Sequence, residues 1–352
     1  MRFELTDEQQ AIQQTAREFL ASRYPPEEVR RLATEDDRGF TDEQWQAIAE
    51  LGWPALVVGE DDGGLGLGVV ELAVLQEQLG YALAPTPLLS TVAAALAIGA
   101  AGSPEQRAEW LPAIAEGERR GTVAPLYSGL AFDDGAVSGT LEAVPDATSA
   151  DLLVVPAGHE QLAVVELRGD GVRVEPVAGL DPTRRLATVT LDRAPSTALS
   201  GGDRGAVARA RDVIAVAVAA ESVGVAQRAM EMAVTHARDR HQFGRPIGVF
   251  QAVSHPCAQM LLETEGARSA VLFAAWALDH SPEEAPLAAA MAKAYASDAG
   301  WRVPAAALQV LGGIGFTWEH DLHFWLKRGR ANAAMAGDAR SHRARVADLV
   351  GL

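Results

Sequence analysis

The apolar residues of this 352-residue chain follow two different periods, and the order of these periods constrains the fold. From Thr6 to about residue 118, and again from about Gly205 to the end, they recur at helical spacing. Between about Arg120 and Pro195 they form short runs bounded by Gly, Asp or Pro, which is typical of strands and turns. The sequence therefore predicts an α+β protein with helical, β and helical segments in that order.

Three domains follow from these changes of pattern: an all-helical domain at 1–118, a β-domain at 119–198 and a helical bundle at 199–352. The β-domain is near the lower size limit for an independent core, so we expect packing against the neighbouring helices to stabilise it. The pattern from Val207 to about Arg240 is longer than a typical globular helix, which indicates a bundle of four or five helices.

The charge and the single cysteine exclude several classes of protein. The formal net charge is −17, from 47 acidic and 30 basic residues, so the surface repels nucleic acid and anionic lipid. Cys257 stands alone, which rules out an internal disulfide and a multi-thiolate metal site; no metal is expected. With no run of 18 apolar residues and no secretory signal at Met1, we expect a cytoplasmic protein outside the membrane.

The most informative motif is Arg-His-Gln-Phe-Gly-Arg-Pro-Ile from Arg240, followed by Phe250-Gln251. Arginine offers a planar fork of donors suited to a pyrophosphate, glycine lets the backbone approach closely, and phenylalanine provides a flat surface. Such a cluster can hold a phosphorylated aromatic cofactor. Arg240 and Arg245 also gather positive charge in an acidic chain. The alternative for this stretch is a polar corner between two helices.

This motif resembles the signature of the acyl-CoA dehydrogenase family, and further segments agree with that family in the expected order. They are Leu51-Gly52-Trp53, Gly63-Gly64-Leu65-Gly66, Leu180 to Arg185 and Gln309 to Thr317. The resemblance covers nearly the whole chain. It implies a helical domain, a small β-domain and a helical bundle, and an FAD-dependent oxidation of an acyl-CoA thioester between C2 and C3.

The resemblance also implies that the ADP half of FAD lies at a subunit interface, where two motifs of one subunit hold a cofactor seated mainly in its neighbour. The first motif would place Arg240 at the pyrophosphate. In the second, the missing side chains of Gly312 and Gly313 permit close backbone approach. The candidate cofactor-binding residues are Arg240, Gln242, Phe243, Phe250, Gln251, Gln309, Gly312 and Gly313.

The resemblance fails at the flavin ring and at the catalytic base. A ring-binding Thr-Glu-Pro-x-x-Gly-Ser-Asp loop is replaced by Val123 to Ala131, and the β-domain contains no Trp. Aligned on the glycine of the Glu-Gly-Thr base motif, the chain has Ala336 in place of the glutamate, and the alternative base position falls near Ile214. Asp338 and Glu221 are substitutes, whose alternative roles are a helix cap and a bundle salt bridge.

We therefore expect a subunit that anchors the ADP half of FAD for a catalytic partner, similar to the short degenerate subunits of actinobacterial heteromeric acyl-CoA dehydrogenases that degrade steroid and other bulky side chains. The implied partners are an acyl-CoA, a homologous subunit in a homo- or hetero-oligomer (dimer or tetramer) and an electron-transferring flavoprotein. One alternative is a homomeric dehydrogenase with Asp338 or Glu221 as base. Another is a flavin-free structural scaffold.

Overall fold

The computed structural model describes residues 4–124, 129–157, 161–202 and 204–352, and the predicted order of helical, β and helical segments is confirmed. Eleven α-helices occur in these ranges. Six precede the strands: α1 Asp7–Arg23, α2 Pro26–Glu35, α3 Asp42–Glu50, α4 Val69–Ala82, α5 Leu88–Ala101 and α6 Pro104–Ala115. Five follow them: α7 Arg204–Asp239, α8 Gln251–His280, α9 Ala285–Leu311, α10 Leu322–Ala334 and α11 Ala339–Leu349.

Local capping explains where several N-terminal helices begin. Thr6, Thr41 and Ser103 each form a capping box, in which the hydroxyl accepts from the backbone N–H three residues later and a glutamine side chain accepts in return from the cap's own N–H. The sequence predicts individual helices at 6–20, 41–52, 71–79 and 103–114, so α2 and α5 were not predicted as separate helices. Eleven of the fourteen residues of α5 are buried, so its sequence lacks the polar face that marks an amphipathic helix.

The strands between residues 121 and 198 form one seven-stranded sheet in the order β1-β4-β5-β7-β3-β2, with β6 also paired to β7. All pairs are antiparallel except β1 with β4. The strands are β1 Gly121–Val123, β2 Ala131–Asp133, β3 Ala136–Pro145, β4 Leu152–Ala157, β5 Gln161–Glu166, β6 Val172–Val177 and β7 Leu186–Ala198. The sequence predicts strands at the apolar runs 152–155, 162–167, 172–177 and 187–191, and these runs correspond to β4, β5, β6 and β7.

The contacts divide the chain into two compact units. The first comprises 1–31, 69–84 and 212–352, and therefore includes α1, α4 and most of the C-terminal helices. The second comprises 32–68 and 85–211, and includes the whole sheet with α3, α5 and α6. Both units are assembled from separate stretches of sequence. The domain boundaries at 118 and 198 remain a prediction.

The helix α7 is long and apolar enough, by length and composition alone, to cross a membrane. Within its most apolar window of 18 residues, 83% of the residues are buried inside the protein. The core helix of a soluble protein passes the same test. No other such helix occurs in the described part of the chain.

The candidate site lies at the end of a helical hairpin. Only residues 281–284 separate α8 from α9, and the two helices pack against each other. Antiparallel helices of 30 and 27 residues rise about 1.5 Å per residue, so the start of α8 lies at the same end as the finish of α9. This topology brings the two cofactor motifs to one end of the bundle.

Candidate functional site

The first motif folds as a β-hairpin between α7 and α8. The two-residue strands β8 His241–Gln242 and β9 Arg245–Pro246 pair antiparallel. The turn residues Phe243 and Gly244 both have left-handed φ values, 53° and 77°, as a type I′ turn requires. Phenylalanine rarely adopts this conformation, because its Cβ then lies close to the following carbonyl oxygen.

The ring of Phe243 is 90% exposed at the tip of this hairpin. Its inner contact is with the ring of Phe250, at a centroid distance of 5.9 Å and an interplanar angle of 82°. The guanidinium of Arg245 lies over the ring of Phe250, 4.8 Å from its centroid. Phe250 and Arg245 therefore brace the hairpin, and Phe243 projects outward as an apolar surface.

Arg240 links the end of α7 to the hairpin through its backbone alone. Its N–H donates to the carbonyl of His236, and its own carbonyl accepts from the N–H of Ile247. The side chain is exposed, and no ion pair holds its guanidinium among the described residues. Gln242 and Gln251 are exposed too. The motif thus presents a free cation and two amides next to an exposed ring, which fits an anionic, aromatic ligand.

The second motif ends α9. Gln309 is exposed on the last turn, and its carbonyl accepts from the N–H of Gly312. Gly312 has φ 61° and ψ −139°, a conformation that requires glycine. A Cβ placed on Gly312 or Gly313 would meet no atom within 4 Å, so neither glycine serves the chain's own packing. Their backbone is open to a ligand or a second chain.

The eight predicted cofactor residues therefore belong to two exposed motifs at one end of the α8–α9 hairpin. Their open, unpaired groups fit the ADP half of a dinucleotide. Their binding to FAD remains a prediction. The ring-binding loop compared with Val123 to Ala131 includes residues 125–128, which lie outside the described residues. Among the residues that are described, no cluster of His, Cys, Asp and Glu could hold a metal ion.

Glu221, the first substitute base, is engaged in the interior. It lies on α7, and its carboxylate pairs with the guanidinium of Arg328 on α10. The two side chains are only 4% and 2% exposed. Because a buried carboxylate that loses its cation is costly, Glu221 serves as a fixed partner of Arg328. The bundle salt bridge considered from the sequence is confirmed.

Asp338, the second substitute, caps α11. Its side chain accepts a hydrogen bond from the backbone N–H of Ser341 at 2.7 Å. This bond, aided by the Ser341 hydroxyl, holds the pKa of the Asp338 carboxyl below its ordinary value. A carboxylate whose pKa is lowered is a weaker base, so the environment of Asp338 opposes a role in proton abstraction.

We expect Asp338→Asn to leave flavin reduction by an acyl-CoA within about twofold of wild type, since asparagine caps a helix as well as aspartate does. Stopped-flow absorbance of the flavin in the assembled protein measures this rate. Asp338→Ala is the companion variant, which removes the cap and lowers the melting temperature. Abolished reduction in Asp338→Asn alone, with an unchanged melting temperature, would identify Asp338 as the base.

The turn that carries Ala336 is held by two buried side chains that the sequence did not reveal. The ammonium of Lys293 donates to the carbonyls of Gly337 at 2.8 Å and Asn332 at 3.2 Å, and to the hydroxyl of Ser297 at 2.7 Å. The ring of His342 donates from Nε2 to the carbonyl of Ala336 at 2.8 Å. All three ammonium protons are therefore used, and α9, α10 and α11 are joined at this turn.

Burial lowers the pKa of Lys293 from its ordinary 10.5 to about 8. The folded protein then releases this proton more readily than the unfolded chain, so stability rises with pH between about 8 and 10.5. Relative to Lys293→Met, the wild type should gain about 3 kcal/mol in free energy of unfolding over that range. Urea unfolding at several pH values measures the gain. Parallel pH profiles for the two proteins would contradict the lowered pKa.

Two family models match this chain. Residues 6–118 match the acyl-CoA dehydrogenase N-terminal domain, and residues 207–351 match the acyl-CoA dehydrogenase C-terminal domain. The chain belongs to the acyl-CoA dehydrogenase family. Members of this family are FAD-dependent oxidoreductases, and the family resemblance and fold expected from the sequence are confirmed.

Relatives of similar length occur in mycobacteria. The chain is 34% identical over 337 residues to the acyl-CoA dehydrogenase IpdE2 of Mycolicibacterium smegmatis, covering 96% of each protein. It is 35% identical over 336 residues to IpdE2 of Mycobacterium tuberculosis, covering 95% of this chain and 94% of the relative.

Solved structures of the family share its fold closely. The ChsE4-ChsE5 complex from Mycobacterium tuberculosis is 27% identical, with a TM-score of 0.91 over 100% of this chain and 99% of that one. The Tcur3481-Tcur3483 steroid ACAD is 31% identical, with a TM-score of 0.88 over 98% of each chain. One of these relatives, at 31% identity, is thus named as a steroid ACAD.

Proposed function

We propose that this chain is the cofactor-anchoring subunit of a heteromeric acyl-CoA dehydrogenase. It holds the ADP half of an FAD whose ring, base and acyl pocket belong to a homologous partner. The observation that carries the proposal is the contrast between two sets of residues. Five of the residues for the ADP half have exposed side chains: Arg240, Gln242, Phe243, Gln251 and Gln309. By contrast, Ala336 stands at one base position and Glu221 is paired with Arg328.

The chain's own residues bind and orient the cofactor in this proposal. Arg240 neutralises the pyrophosphate with its planar fork, and Gln309 with the backbone of Gly312 and Gly313 receives the adenosine side. Phe243 covers the cofactor with an apolar ring and excludes water from it. When bound, FAD accepts the hydride removed from C3 of the acyl-CoA.

The named relatives support both the assembly and the substrate class. A complex of two different chains, ChsE4-ChsE5, and a steroid ACAD named for two components share the fold of this chain. We infer an acyl-CoA substrate with a bulky, steroid-like acyl group. We also infer an electron-transferring flavoprotein as the onward electron acceptor, and a cytoplasmic location.

The decisive experiment counts flavin per chain. The protein is purified alone and after co-expression with a homologous chain that carries the Glu-Gly base motif, and flavin absorbance is compared with protein mass. We expect substoichiometric flavin and no turnover for the chain alone. In the complex we expect stoichiometric flavin and turnover with a steroid-derived acyl-CoA.

The other outcomes identify the rival functions. Full flavin occupancy and turnover by the purified homomer would establish a homomeric dehydrogenase with an atypical base. If the complex assembles and its flavin content does not change in Arg240→Ala, this chain does not hold the cofactor. It would then be a structural scaffold.

A further inference from the structure

A group of arginines surrounds Trp301 on the outer side of α9, α10 and α11, within the first compact unit. The guanidinium of Arg330 lies over the indole of Trp301 at 4.7 Å from the ring centroid, and that of Arg302 lies at 6.0 Å. Arg302 also shares one carboxylate oxygen of Asp298 with Arg343. We call Trp301, Arg302, Arg330 and Arg343 the arginine–tryptophan surface.

The positive charge of this surface is not balanced by the chain itself. Among the described residues, Asp298 is the one carboxylate that forms an ion pair with any of these arginines, and it pairs with Arg302 and Arg343. The side chains of Arg302 and Arg343 remain 53% and 58% exposed, and Arg330 is exposed as well. In a chain of net charge −17, this leaves a local excess of about two positive charges directed at solvent.

The surface continues from the cofactor motif along one side of α9. Arg302 precedes Gln309 by seven residues, which is 20° short of two full turns, so the two exposed side chains share a helix face. Their Cα atoms lie about 10.5 Å apart along the axis. A protein that covers two turns of this face from Gln309 therefore also meets Arg302.

We propose that the arginine–tryptophan surface docks a carboxylate-rich face of the homologous partner chain. This inference rests on the heteromeric function proposed above. Arginine and tryptophan supply much of the binding energy at protein interfaces, and opposite charge selects one partner over another. In a symmetric contact a second copy of this chain would present the same arginines, so the surface does not pair with itself.

The test uses charge reversal in this chain, which is then titrated with a separately purified homologue that carries the Glu-Gly base motif. We expect Arg302→Glu/Arg330→Glu to weaken association at least tenfold and to reduce its dependence on salt concentration. Calorimetric titration at two salt concentrations measures both effects. The matched control is Arg173→Glu/Arg193→Glu, which makes the same charge change at side chains that are each 67% exposed in the β-sheet.

Four results would separate this inference from the function on which it rests. Unchanged association in the α9–α10 variant, or equal weakening in the control, would overturn the inference and leave the heteromer intact. If the variant lost only self-association, the surface would bind a second copy of this chain, and the inference would be overturned as well. A wild-type chain that binds no homologue would instead overturn the proposed function. Circular dichroism and thermal unfolding verify that each variant folds.

Discussion

Arg328→Met should lower the free energy of unfolding by about 3–5 kcal/mol, because it leaves the Glu221 carboxylate buried without its cation. The two side chains are 2% and 4% exposed, so water cannot replace the lost partner. Urea unfolding followed by circular dichroism measures the change. We expect Glu221 to become protonated in the variant, which makes the loss smaller at low pH.

The paired variant Glu221→Gln/Arg328→Met is the control for this result. It removes both charges, and we expect it to recover most of the lost stability, since neutral replacements of a buried ion pair cost little. Glu221→Gln alone should destabilise the protein as well. If Glu221→Gln abolished flavin reduction while the free energy of unfolding stayed unchanged, Glu221 would be a catalytic base and not a structural partner.

Phe243→Asn should reduce flavin retention by the assembled complex at least tenfold without loss of folding. The reason lies in the turn, which needs left-handed φ at residues 243 and 244. Asn-Gly is the preferred sequence for a type I′ turn, so the hairpin should keep its shape or gain about 0.5–1 kcal/mol. The variant removes only the ring that is 90% exposed. Flavin content after gel filtration measures retention.

Leu349→Asn is the matched control for this prediction, because it replaces an exposed apolar side chain near the end of α11. It should leave flavin retention unchanged. If Phe243→Asn kept full flavin occupancy, the hairpin ring would have no part in holding the cofactor. If Phe243→Asn lost stability, the contact with Phe250 would hold the hairpin together more strongly than the turn conformation does.

The helices with strong local signals were accessible from the sequence. Thr6, Thr41 and Ser103 each precede acids and a helical repeat, and each caps a helix. The helix α5 was missed because tertiary burial on all sides removes the alternation that a sequence pattern relies on. Local capping is encoded within a few residues, whereas burial depends on chain segments that are distant in sequence.

The candidate site was likewise only partly predictable from the sequence. The motif from Arg240 to Gln251 was evident because its cation, amides, aromatic ring and glycine lie within twelve residues. Lys293 gave no signal, since it sits in an alanine-rich helix and its acceptors at Asn332 and Gly337 come about 40 residues later. A lysine in such a run reads as a solvated charge until the structure shows it fully buried.

The sequence by itself determined the family and the order of helical and β segments, and it predicted two cofactor motifs. These features depend on residue types and on spacings of a few residues, which can be read directly from the sequence. The tertiary structure decided what the remaining charges do: Glu221 neutralises Arg328, Asp338 caps α11, and Lys293 holds the turn at Ala336. The role of a charged group depends on its distance from other charges and from water, and only the folded chain sets those distances.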